Sequence, residues 1–163
     1  MQYMDVLKVC GLFSGIDDIG GALRYLRARQ RLFQRGEFIL RIEDRLRLAW
    51  VVLDGEIECG YQDSDFNKYN MNHFTAGELF GEAMACAGVE ASPMQVLAVT
   101  DCAIMFLDFG VLCASPAGYE HHARLAGNLL RMLSAKNLFL NQKVRLLSRK
   151  YLRGNLAVCS PKG

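Results

Sequence analysis

The sequence lacks any long run of apolar residues. A helix that crosses a membrane needs about 18 to 20 consecutive apolar residues, and no stretch of this 163-residue chain approaches that length. No cleavable apolar leader stands at its start either. We therefore expect a soluble, cytoplasmic protein with no membrane contact.

Paired cysteines and a large net charge are also missing. The six cysteines contain no CxxC pair and are scattered at Cys10, Cys59, Cys86, Cys102, Cys113 and Cys159. This spacing favours reduced thiols over a secreted disulfide framework. The net charge of +2 gives no strong electrostatic case for a dedicated nucleic-acid binder.

Catalytic and metal-binding signatures are absent from the sequence as well. There is no His-x-His pair, no Gly-x-Ser-x-Gly elbow and no phosphate loop with Gly-Lys-Ser/Thr. His121 and His122 are adjacent, so on a helix they point about 100° apart and cannot readily share one ion. We expect no catalytic residues, no metal site and no enzymatic activity.

Short strands separated by turn residues fill the middle of the chain. About half of all residues are apolar, enough for one good core. Seven strands are predicted, at 31–33, 38–41, 48–53, 56–61, 70–74, 95–99 and 103–107. Short helices within residues 1–26 precede them, with Asp17-Asp18 at a helix start. The pattern predicts an antiparallel double-stranded β-helix (jelly roll) with an N-terminal helical cap.

One turn carries a strong local signal. Asp54-Gly55 separates two apolar strands, and both residues tolerate the positive φ that tight hairpin turns need. We therefore predict a hairpin at this point.

A long helix is predicted from residue 119 to residue 150. Its apolar residues follow a seven-residue repeat. One seam position holds Leu130, Asn137 and Val144. The other, three residues later, holds Leu133, Leu140 and Leu147. One asparagine among leucines is typical of a two-stranded parallel coiled coil, so the helix is predicted to form a homodimer. The alternative is that the same stripe packs on the chain's own β core.

The predicted domains follow from these elements. Residues 1–118 form the jelly-roll domain, 119–150 the dimerisation helix and 151–163 a tail.

A glycine-rich segment stands between the predicted strands and the helix. Gly77 and Gly81 lie four residues apart, and Glu82 follows where a helix would begin. Glycines allow a sharp turn and close approach of a bound group, while N–H donors and one carboxylate face the same side. The segment is predicted to bind a ligand. Alternatively, Glu82 is only a first-turn acid stabilised by the helix dipole.

The segments Gly36–Leu40, Val51–Gly55, Gly77–Glu82 and Asn137–Ser148 together resemble the effector domain of the Crp/Fnr family of bacterial transcription regulators. The resemblance covers nearly the whole chain. It implies a cyclic-nucleotide-binding-like domain that senses an effector and dimerises through its long helix. Glu43 and Phe66 stand at turns where the family usually has glycine, so we expect those loops to differ.

The resemblance also implies a ligand site. Glu82 matches the acid that binds the ribose, Gly81 and Ala83 match the backbone donors, and Asn137 falls near the helix residue that contacts the base. The family's phosphate-binding Arg-Ser pair is replaced by Ser92-Pro93. We therefore expect cyclic nucleotides to bind weakly or not at all. An unidentified, less anionic effector is predicted to lodge among Phe80, Met84, Met94 and the long helix.

The expected mode of DNA contact also departs from that of the family. Its regulators continue into a helix-turn-helix domain, whereas only residues 151–163 follow the helix here. We expect DNA contact only through a domain that this chain does not hold. A second hypothesis is a stand-alone thiol-sensing or dimerising module, with Cys86 on the helix after Gly81 as the reactive thiol.

Overall fold

The computed structural model describes residues 2–45, 47–62, 68–114 and 118–158. The chain divides into two compact units, which we call the first unit (Met1–Leu129) and the second unit (Leu130–Gly163). Within the described residues, no helix combines the length and the apolar character that a membrane span requires.

Short helices open the first unit. They are α1 (Met4–Val9), a 3-10 turn (Gly11–Phe13) and α2 (Ile19–Tyr25). The carboxylate of Asp18 accepts a hydrogen bond from the Gly21 N–H at 2.8 Å and so caps α2. The predicted helix start at Asp17-Asp18 is confirmed.

In the described part of the chain, eight strands form two four-stranded antiparallel sheets. The strands are β1 (Arg29–Phe33), β2 (Phe38–Leu40), β3 (Ala49–Asp54), β4 (Ile57–Gln62), β5 (Lys68–Phe74), β6 (Leu79–Phe80), β7 (Gln95–Ala98) and β8 (Cys102–Leu107). One sheet has the order β1-β8-β3-β6 and the other β2-β7-β4-β5. The predicted jelly roll is confirmed. The two-residue strand β6 was not predicted, because two residues are too short to show an alternating pattern.

The predicted hairpin at Asp54-Gly55 is wrong. Strands β3 and β4 lie in different sheets, so this turn carries the chain from one sheet to the other. Gly55 has φ +81°, and a Cβ there would overlap the carbonyl oxygen of Asp101 and the side chain of Thr100. Glycine is needed at this crossing because the backbone passes directly against the β7–β8 turn.

Inward-facing side chains fill the roll. Trp50 lies edge-on to Phe80 at 4.7 Å between ring centroids and 5.6 Å from Phe106. Val52 and Ile57 are fully buried in the same cluster. Together with Trp50, Phe80 and Phe106 they form the core between the two sheets.

Helices α3 (Glu82–Ala87) and α4 (Gly110–Cys113) are short, and α5 (His122–Val158) is long. Helix α5 begins three residues later than predicted and continues eight residues beyond the predicted end. Its first two turns belong to the first unit, where Leu125, Asn128 and Leu129 are buried. The Asn128 amide donates to the carbonyls of Leu12 and Ser14 at 2.9 and 2.8 Å. These bonds attach the start of α5 to the N-terminal cap.

The described residues of the second unit are the remainder of α5. Its large apolar side chains are mostly solvent-exposed, with Leu140 57% exposed and Leu130 65% exposed.

Candidate functional site

The predicted ligand segment forms a strand, a sharp bend and a short helix. Strand β6 ends at the buried Phe80, and Gly81 follows with φ +76° as the residue before α3. Helix α3 ends at Gly88, which also has positive φ. The glycine at position 81 is therefore required by its backbone conformation. We call residues 79–94 the cassette.

Two neighbouring residues of the cassette have different surroundings. Glu82 is only 3% exposed, whereas the next residue, Ala83, is exposed. A carboxyl group that is buried requires polar partners or charge compensation. Glu82 also lies in the first turn of α3, so its position is compatible with both a ligand contact and stabilisation of the helix start.

At the far end of the cassette, Ser92 is held by its own turn. Its hydroxyl donates to the Met94 carbonyl at 2.6 Å and accepts from the Met94 N–H at 3.2 Å. Ser92 and Met94 are buried, and Pro93 between them is exposed. The hydroxyl therefore already has two backbone partners, and the neighbouring proline has no N–H to offer a ligand.

The loop between β2 and β3 contacts this end of the cassette. The Glu43 N–H donates to the Ser92 carbonyl at 2.9 Å, and the Ser92 N–H donates to the Asp44 carbonyl at 2.8 Å. Arg45 then forms an antiparallel bridge with Ala91. Glu43 adopts φ +71°, the conformation that glycine favours. The other predicted loop change, at Phe66, lies outside the described residues.

This loop places two arginines, Arg45 and Arg47, near the cassette. The sequence did not indicate that positive charge would lie there. The loop and Ala91 are more than 40 residues apart in the chain, so no local spacing signals their proximity. The composition of the loop was the one available clue, because it contains two arginines within three residues.

A cavity of about 280 Å³ lies beside the loop. Its charged lining residues are Asp44, Arg45 and Arg47, and its apolar ones are Ile39, Leu40, Leu48, Trp50 and Phe106. The indole N–H of the buried Trp50 has no hydrogen-bond partner among the described residues. A buried donor without a partner is costly.

Leu48 joins this cavity to the cassette, because its carbonyl oxygen would lie 3.6 Å from a Cβ placed on Gly81. A larger groove of about 580 Å³ is lined by Tyr3, Glu37, Asp54 and Asp101, among others, and includes none of the predicted ligand residues.

The remaining predicted residues lie in the second unit. Asn137, Leu140, Val144 and Leu147 are exposed along α5, as is Leu130, and Leu133 is half-buried. Because they recur every three to four residues, they lie on one face of the helix.

The thiol of the second hypothesis has an unfavourable environment. Burial, together with the neighbouring Cys113 and Glu82, raises the pKa of Cys86 to about 11. Burial likewise raises the pKa of Cys102 to about 11. Both thiols are therefore protonated at neutral pH, and Cys159 lies outside the described residues.

One family model, that of the cyclic nucleotide-binding domain, matches residues 30–112. This range runs from β1 into α4 and includes the whole cassette. No curated protein matches the chain in sequence.

Several solved structures share the fold. The Thermus thermophilus catabolite activator protein superposes with a TM-score of 0.70 at 22% identity, over 85% of this chain and 63% of its own. The sensor domain of the transcriptional regulator DNR from Pseudomonas aeruginosa gives 0.67 at 11% identity, over 88% and 92%. The regulatory subunit of a cAMP-independent protein kinase A from Trypanosoma brucei gives 0.61 at 18% identity, over 87% and 50%.

The chain thus spans less than two thirds of the Thermus protein and half of the kinase subunit. The superpositions establish the β-roll fold with its short N-terminal helices and long C-terminal helix. At these low identities they establish the fold alone.

Proposed function

The chain belongs to the cyclic nucleotide-binding domain family, and from this premise we propose that it is the effector-sensing domain of a Crp/Fnr-type transcriptional regulator. A small molecule binds in the β-roll and changes the preferred arrangement of two paired α5 helices. In this scheme the effector acts by its differential affinity for the two arrangements.

One observation carries the proposal. The β-roll, which has the fold of the cyclic nucleotide-binding domain family, is followed by a helix, α5, whose heptad seam is exposed. Leu140, Val144 and Leu147 are each more than half exposed, although leucine and valine normally favour burial. A second copy of the helix would bury this seam, and Asn137 would pair with its equivalent and fix the register.

We assign effector binding to the cassette and the helix. The contacts are Phe80, Gly81, Glu82, Ala83, Ser92, Pro93, Met94 and Asn137. Glu82 is the candidate polar contact, while Phe80 and Met94 supply apolar surface.

Cyclic nucleotides are not the expected effectors. Position 92 lacks the family's guanidinium, the Ser92 hydroxyl is bonded to Met94, and Pro93 has no N–H. A charge-assisted hydrogen bond contributes about 1.5 to 3 kcal/mol, so its loss weakens binding roughly ten- to more than a hundredfold. Calorimetric titration with cyclic AMP and cyclic GMP should therefore detect no binding in the micromolar range. Micromolar affinity for either nucleotide would contradict this assignment.

The dimer part of the proposal is tested separately. Replacing Asn137 with leucine should preserve folding and association but loosen the oligomeric state, because the buried amide no longer penalises other registers. Sedimentation velocity should show a mixture of dimers and larger species. An unchanged dimer with an unchanged effector response would remove Asn137 from both roles.

DNA binding would require a helix-turn-helix domain in addition to the residues of this chain. The rival proposal is a thiol sensor or a dimerising module without DNA output. The raised pKa of Cys86 disfavours the thiol sensor, since the thiolate is the reactive form. Its alkylation at pH 7.5 should be about a hundredfold slower than that of an ordinary thiol. A fast-reacting Cys86 would instead support the sensor.

A further inference from the structure

The β2–β3 loop supplies positive charge next to the position where the cassette lacks it. Arg45 bridges to Ala91, the residue before Ser92, and two backbone hydrogen bonds at Ser92 hold the loop in register. Residues directly opposite each other in an antiparallel pair are close neighbours. The position of Arg45 is therefore set by the backbone pairing.

The cavity beside this loop has the chemistry of a small anion site. Arg45 and Arg47 outnumber the single carboxylate of Asp44, one oxygen of which already accepts from the Arg41 N–H at 2.8 Å. The indole N–H of Trp50, on a side chain that is 3% exposed, has no partner in the described part of the chain. Two cationic side chains and the buried Trp50 thus line the same cavity.

The rest of the lining is apolar and limits the size of the occupant. Leu40 and Trp50 are buried, while Ile39, Leu48 and Phe106 are partly buried against the same core. A volume of about 280 Å³ is at the small end of ligand sites, which usually measure roughly 300 to 1,000 Å³. The cavity therefore suits a compact molecule with an apolar body.

We propose that Arg45 and Arg47, beside the buried Trp50, form a binding site for a small carboxylate with an apolar body. This inference rests on the proposed effector function and names the chemical class of the effector. The arginines attract and pair with the carboxylate, and the body contacts the apolar lining. The charge comes from the β2–β3 loop instead of from the cassette.

Trp50 is the only tryptophan of the chain, so it reports on this site directly. A nitrogen-15 correlation spectrum of the intact chain contains one indole N–H signal. Because Trp50 lines the cavity, titration with benzoate should move this signal and saturate. Benzyl alcohol, which has the same ring and no charge, should bind at least tenfold more weakly. Inorganic phosphate, which has charge and no apolar body, should also bind more weakly than benzoate.

The arginines are tested with a charge-matched pair of variants. Arg45 and Arg47 are exposed, so the double variant Arg45→Gln/Arg47→Gln should fold, which an otherwise unchanged spectrum would verify. It should weaken benzoate binding at least tenfold, because the carboxylate loses both of its charge-assisted partners. The control Arg145→Gln/Arg149→Gln removes the same charge from the second unit and should leave the affinity unchanged.

Three results would overturn the site. These are no saturable movement of the indole signal with benzoate, equal affinity of the loop variant and the control, and tighter binding of phosphate or benzyl alcohol than of benzoate.

The proposed function would fail on a different result. If a probe moves the amide signals of Glu82 and Ala83 but not the Trp50 indole signal, the anion site is wrong and effector sensing in the cassette stands. A chain that remains monomeric removes the proposed dimeric sensor, whatever the indole signal shows.

Discussion

The two parts of helix α5 differ in the solvent exposure of their leucine side chains. In the first two turns, Leu125 is fully buried and Leu129 is 6% exposed, whereas the next residue, Leu130, is 65% exposed. The helix therefore changes within one residue from a packed element of the first unit to a rod of exposed leucines in the second. The first part is stabilised by its own chain, whereas in the proposed dimer a second copy would bury the apolar surface of the second part.

The largest effect is expected from a substitution in the exposed part of α5. Replacing Leu140 with glutamate places a charge in the seam of both helices and removes two buried leucines from a dimer. Burial of one leucine is worth about 1.5 to 3 kcal/mol, so the dimer dissociation constant should rise more than a hundredfold. Sedimentation equilibrium measures this rise. The first unit should keep its fold, as judged by its near-ultraviolet circular dichroism.

The control for this variant is Ala135→Glu, which adds the same charge to an exposed position outside the seam. It should leave the dissociation constant almost unchanged. If both variants weaken the dimer equally, general charge repulsion is the cause, and the seam assignment is wrong.

A smaller effect is expected from the first half of the helix. Replacing Asn128 with leucine leaves the carbonyls of Leu12 and Ser14 without their amide donor. An unsatisfied buried acceptor costs about 1 to 3 kcal/mol, so unfolding should become easier by roughly 2 to 4 kcal/mol. Urea denaturation measures the change. The same replacement at the exposed Asn137 should cost far less, and equal costs at the two sites would contradict the comparison.

The smallest effects come from two glycines, one in each unit. Gly55→Ala meets the Asp101 carbonyl and keeps an unfavourable φ of +81°, so we expect a loss of about 1 to 3 kcal/mol. Gly154→Ala meets no neighbouring atom within 4 Å and should stabilise the helix by about 0.5 to 1 kcal/mol. Thermal denaturation distinguishes the two. Effects of the same sign would contradict the contrast between a packed roll and an open helix.

Patterns that depend on neighbours in sequence were predictable. The start of α2 at Asp18, the alternating strands and the stripe of α5 all follow from local periodicity or capping. Features that depend on strand pairing were not. Asp54-Gly55 has the composition of a hairpin turn, yet the composition does not say which sheet the next strand joins.

The candidate site shows the same limit. The bend at Gly81 is visible in the sequence, because glycine is the residue that tolerates its positive φ. Arg45 could not be connected to Ala91, since that contact depends on the closure of the whole roll. The end of α5 was placed too early because Arg153 and Gly154, which follow the last clear heptad, remain helical.

Native mass spectrometry of the purified chain tests the central claim most directly, because it reads the oligomeric state and any bound small molecule together. The account predicts a species of twice the 18.3 kDa chain mass that carries a small-molecule adduct, or acquires one on addition of benzoate. A species of 18.3 kDa alone at micromolar concentration, without an adduct under either condition, would contradict it.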